Sequence, residues 1–128
     1  MKNSGFFLII FSAAAFFISA SFISNSSPDE PEMPKEVKKA IEKSCFGCHN
    51  TDSQNEDAKE ELDFKTLGEL SKVRKITKYR DIAEMIEEGE MPPKKFLENY
   101  PDKKLTEKET KLLTEWAKSE AAALIGNE

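Results

Sequence analysis

The chain has 128 residues, with 19 Lys and Arg against 24 Asp and Glu, two cysteines and a single histidine. Its net charge of −5 argues against nucleic-acid binding, and its length limits it to one small domain. Beyond residue 24 the remaining 104 residues carry a net charge of −6, and only 18 of them are Leu, Ile, Val or Phe. That share is below roughly 20%, where a highly charged chain is expected to lack a self-sufficient core, so something besides side chains must fill the interior.

The first 24 residues read as an export segment or an N-terminal membrane anchor. Lys2 and the amino terminus precede an apolar run from Phe6 to Ile23 that is interrupted only by small residues. Ser19, Ser21, Ser24 and Ser26 offer cleavage positions, while the 18 residues of the run also reach the lower limit for spanning a bilayer. The expected location is outside the cytoplasm, in the periplasm, either soluble or anchored. Residues 25–34, NSSPDEPEMP, have no apolar period and suit a flexible linker in which Met33 is solvated.

From Lys35 to residue 126 the pattern is that of one all-α domain. Val37, Ala40, Ile41, Ser44, Cys45 and Cys48 recur at spacings of three and four, which places both cysteines on the buried face of a first helix. Asn50 to Glu61 reads as polar loop, and Leu62, Phe64, Leu67, Leu70 and Val73 as short helical turns broken by Gly68. Asp81 to Glu88 forms a helix with Ile82, Met85 and Ile86 on one stripe, stopped by Gly89 in the left-handed position. Met91-Pro92-Pro93 cannot be helix interior. Thr106 to Glu109 is a capping box opening a last amphipathic helix through Leu112, Leu113, Trp116, Ala117, Ala121 and Leu124 to about Gly126. No segment has the alternation of a strand.

All the soft ligand chemistry lies in CFGCH, residues 45–49. Two cysteines at this spacing can form a redox disulfide, supply half of a zinc site, or add to the two vinyl groups of a haem as thioethers. The disulfide reading wants a strand before the motif, and a helix stands there instead. Zinc wants four ligands, and no further Cys or His follows His49. Haem attachment accounts for the histidine directly after the second cysteine, and a flat apolar macrocycle also supplies the missing core. Because His49 is the only histidine, the sixth iron ligand must be Met, Lys, water or nothing. Met85 lies on a helix stripe and reads as core, whereas Met91 projects from a proline-stiffened loop and reads as a ligand.

Cys45, Cys48, His49, Met91 and Trp116 resemble the pattern of class I c-type cytochromes. More narrowly, EMIEEGEMPPKKFLENYPDKKLTEKETKLLTEW is similar to the family of small exported haem-binding domains, which pair CxxCH with a Gly-Glu-Met-Pro-Pro loop and a Leu-Thr-capped final helix. The resemblance covers about residues 37 to 118. It implies a small monohaem cytochrome c-like domain with helices packed around one covalent haem c, attached through Cys45 and Cys48. It also implies His49 as proximal and Met91 as distal iron ligand, and electron transfer rather than catalysis. The alternative is a haem sensor or peroxidase-like protein with a vacant or exchangeable sixth position. The expected partner is a redox protein or a membrane electron-transfer complex. No proline occurs between His49 and Met91, so the acceptor for the second imidazole proton stays open.

Charge comes in blocks: residues 50–64 sum to −5, residues 65–80 to +5 and residues 81–90 to −5. Such runs read first as solvated faces; the functional reading is that some of Arg74, Lys75, Arg80, Lys94 and Lys95 hold haem propionates or border the haem edge. The low aliphatic count generates a first prediction. Replacing Cys45 and Cys48 by Ser leaves a haem-free chain that is largely unfolded by far-ultraviolet circular dichroism; a cooperative, native-like melt of that variant refutes it.

Overall fold

The computed structural model describes residues 33–126. The export segment and the linker as far as residue 32 lie outside the described residues, and within these no helix is long and apolar enough to cross a membrane. Five α-helices and two 3₁₀ turns make up the regular structure, with no strand among the described residues. The helices are α1 (Lys35–Ser44), α2 (Glu56–Glu61), α3 (Lys72–Glu87), α4 (Lys94–Asn99) and α5 (Glu107–Gly126). The 3₁₀ turns are Leu67–Glu69 and Pro101–Lys103.

The twenty-residue α5 is the spine, packing most extensively on α3 and also on α1. Its Leu113, Trp116, Ala117 and Ala121 meet Val37, Ala40 and Ile41 of α1 and Tyr79, Ile82, Ala83 and Ile86 of α3 in one core. The small Ala117, with no exposed surface, lets the helices approach closely. Val37 and Leu113 are the largest fully buried side chains, each contributing about 1.5–3 kcal/mol by leaving water. Trp116 and Tyr79 meet edge to face with ring centroids 5.4 Å apart, which adds about 0.5–1.5 kcal/mol and fixes the rotation of α5 on α3.

Three elements and one side chain differ from the sequence expectation. The first helix ends at Ser44, so CFGCH forms turns beyond it rather than its last turn. Part of the expected polar loop is α2, a helix with no buried residue, started by the Asn55 side chain accepting from Ala58 N–H at 3.1 Å. Capping, an acidic first turn and the Lys59–Glu56 pair at 2.9 Å support it where no apolar period does. Helix α3 begins at Lys72, nine residues before the expected start, because Ile76 and buried Tyr79 extend the apolar stripe through the basic run. Met33 is partly buried against the core rather than solvated.

Other local signals hold. Gly89 ends α3 with φ +70°, and its amide donates to Ile86 O at 3.2 Å. In the capping box of α5, Glu109 N–H donates to Thr106 Oγ1 at 3.2 Å while Thr106 N–H donates to Glu109 Oε2 at 2.8 Å. Lys43, two residues before Cys45, reaches the same carboxylate at 2.5 Å and Lys104 O at 3.0 Å. The end of α1 is thereby pinned to the start of α5.

The Lys43 hydrogen bond, followed by the Thr106 amide, holds the Glu109 carboxyl below its ordinary value. A depressed carboxylate contributes stability above its unfolded pKa and loses it as pH falls through the folded one. Glu109→Gln is therefore expected to cost about 1 kcal/mol near neutrality, with the gap from the parent protein closing under acid conditions. Thermal unfolding measured across the acid range reads both.

Candidate functional site

The turn after α1 presents the motif. Ile41 O accepts from Cys45 N–H at 2.8 Å and Phe46 N–H at 2.9 Å, and Cys45 O accepts from the amides of Cys48 and His49, each at 3.1 Å. Asn50 closes the turn with its side-chain amide on Phe46 O. Both cysteines are free thiols, half-buried, as is His49. Burial first, and then the neighbouring Cys48, push the Cys45 thiol up to about 11, against an opposing pull from Lys43. At neutral pH that sulfur keeps its proton, unlike the thiolates of disulfide-exchange enzymes.

His49 is held on three sides. Its Nδ1 lies 2.8 Å from Ala58 O and 3.1 Å from Leu62 O, the carbonyls at the end of α2. Nδ1 therefore carries the hydrogen, and Nε2 keeps its lone pair as a metal donor. Phe64 N–H donates to His49 O at 3.2 Å, and the Phe64 ring stands edge-on to the imidazole at 6.5 Å between centroids. The acceptor that the sequence left open is thus α2.

Beyond α3 the chain folds back on itself. Met85 O accepts from Glu90 N–H at 3.0 Å and Met91 N–H at 3.2 Å, which brings the Met91 loop over the C-terminal end of α3. Pro92 is buried, while Met91 remains 36% exposed. The peptide between them is cis.

Two cavities meet at these residues. The larger, about 340 Å³, has apolar walls from Leu62, Phe64, Ile82 and Ile86, with Met85 among its lining residues. The smaller, about 130 Å³, is bounded by Cys48, Ala58, Pro92, Pro93 and Phe96. Cys45, His49 and Met91 line both. The four sequence-derived site residues are therefore brought together, although they lie up to 46 positions apart.

One placement corrects the sequence reading. Met85 is 37% exposed at the cavity rather than packed in the core. None of Arg74, Lys75, Arg80, Lys94 or Lys95 lines either cavity; the cation that does is Lys78. A signal for it exists, since Lys78 falls one turn before Ile82 on the stripe that continues to Met85. Leu62 and Ala58 carried no comparable signal, because their role belongs to backbone oxygens.

The arrangement fits a haem. Apolar walls of this size suit a flat macrocycle, two half-buried thiols sit at its margin, and a tethered imidazole and a thioether reach the same space. Comparison with known proteins agrees. Residues 52–119 match the model of the haem-binding domain family, a segment that begins three residues after His49 and contains Lys78, Met91 and Trp116. No curated protein and no solved structure matches the chain. With more than half of its length matched, and with haem as the cofactor that its cavity suits, the chain belongs to the haem-binding domain family.

Proposed function

We propose that this protein is an exported electron carrier, not an enzyme, with one covalent haem c attached through Cys45 and Cys48 and ligated by His49 and Met91. The observation that carries the reading is that Cys45, His49 and Met91 line both cavities, so one group spanning them meets the attachment residue and both iron donors. When bound, the haem iron supplies one-electron exchange between its ferrous and ferric states.

Each residue has a separate task. Cys45 and Cys48, as thiols, would hold the haem by adding S–H across its two vinyl double bonds, sulfur bonding to one carbon of each and hydrogen to the other. His49 presents Nε2, and the carbonyls of Ala58 and Leu62 prevent the ring from turning. By accepting from Nδ1 they increase electron density on the imidazole, which favours ferric iron and lowers the potential. The Met91 thioether favours ferrous iron and raises it. Held by both His49 and Met91, the iron would offer no place for a substrate, which suits exchange with a redox partner protein or a membrane electron-transfer complex. Export rests on the Phe6 to Ile23 run.

A second reading, a haem sensor or peroxidase-like protein with an exchangeable sixth position, draws on the 36% exposure of Met91. One set of spectra separates the two. Met91→Ala is expected to abolish the weak red band of ferric thioether-ligated haem, to admit cyanide and carbon monoxide, and to lower the potential. Met85→Leu is expected to leave the ligation spectrum unchanged. Loss of the band in Met85→Leu instead makes Met85 the ligand, and carbon monoxide binding to the unaltered protein at full occupancy favours the sensor. Asn55→Ala, which uncaps the helix that holds His49, is expected to cost about 1 kcal/mol in holoprotein unfolding, with Asn55→Asp recovering most of it.

A further inference from the structure

We propose that Lys78 anchors a haem propionate, an inference that rests on the haem c reading above and adds the carboxylate subsite of the same cavity. Lys78 is in the middle of α3, and its side chain is only 23% exposed. Its acidic partner is Glu61, at 3.8 Å, whose side chain is 82% exposed. The pair is too long for a hydrogen bond and too wet to add much stability. Lys78 shares the lining of the larger cavity with apolar Leu62 and Ile82, and its loose contact with Glu61 leaves room for a closer acidic partner. A carboxylate within the cavity would supply one, in a short charge-assisted hydrogen bond.

The position along the cavities agrees. Glu61, Lys78 and Asp81 line the larger cavity, and none of them lines the smaller one that holds Cys48. Haem carries its vinyl groups and its propionates on opposite halves of the ring. Thioethers at Cys45 and Cys48 therefore direct the propionates away from Cys48, toward the part of the site where charged groups are found. Glu61 and Asp81 repel a carboxylate there, so Lys78, the cation in the same lining, decides whether it is held.

The test uses holoprotein carrying Lys78→Met, with Lys78→Arg as the conservative variant and Lys78→Gln as a polar uncharged one should the Met variant fail to accumulate. Haem attachment is checked first by the pyridine haemochrome spectrum, and axial ligation by the visible spectrum. Resonance Raman bands of propionate bending are then expected to shift in Lys78→Met and Lys78→Gln and to stay near their parental positions in Lys78→Arg. The potential is expected to fall in the uncharged variants, since a cation near the iron disfavours the ferric state. Unshifted propionate bands with normal covalent haem and ligation overturn the anchor and leave the haem c reading standing. A parent protein with no covalent haem overturns both.

Discussion

The bond from His49 Nδ1 to the end of α2 is the constraint on which the site depends. Donation to Ala58 O at 2.8 Å, with Leu62 O at 3.1 Å, fixes at once the tautomer, the direction of Nε2 and the distance between the motif and the wall made by Leu62 and Phe64. Without it the imidazole could rotate in a half-buried turn. The helix that supplies it is weak by itself, six residues with none buried, and isolated helices of that length do not persist in water. Its order comes from Asn55 at one end and from the oxygens bonded to Leu62 N–H and His49 at the other. The histidine and the helix thus hold each other.

The same economy governs the core. Leu113 of α5 and Val37 of α1 are fully buried, but the cavity removes what would be the inner side of α3 near its C-terminal end. Ile82 and Ile86 serve two surfaces, packing on α5 and lining the cavity. A ligand that fills this space adds contacts to residues already in the core, so binding and folding share one set of side chains. That coupling explains how a chain with so few aliphatic residues forms a defined helical domain.

Legibility in the sequence followed the range of the interactions. The capping box at Thr106 and Glu109, the Gly89 stop and the CFGCH cluster are set by neighbours within five positions, and all were readable. Helix α2 was not, because a cap and a borrowed histidine replace the apolar period that marks most helices. The first half of α3 was hidden by its own charges, although Ile76 and Tyr79 continue its stripe. Met85 was misread for an instructive reason: a cavity wall has the same period as a core face, and only tertiary structure tells an occupied space from a packed one. Lys78 belonged to a visible basic run, but its inward position required the fold.

The charge that matters at this site is local. Beyond residue 24 the chain carries −6, yet most of that charge is on exposed side chains, where salt screens it beyond about 8 Å at physiological ionic strength. Of the charges in the cavity lining, Lys78 is the least exposed and so the least screened, while Glu61 and Asp81 face solvent as well. Glu61 and Asp81 stabilise added positive charge there, Lys78 opposes it, and the three sum to −1 before any propionate enters. In the proposed arrangement a propionate beside Lys78 would offset its cation and leave the charge of the two acids in the lining uncompensated, which would favour the ferric state. The carbonyls on His49 push in the same direction. The thioether of Met91, as the proposed second ligand, would push the other way, from a loop that the backbone of Met85 holds in place. On that reading the potential would be set by a contest between one loop side chain and several fixed groups, and the loop is the element that sequence change can most easily alter without disturbing the packing of α1, α3 and α5.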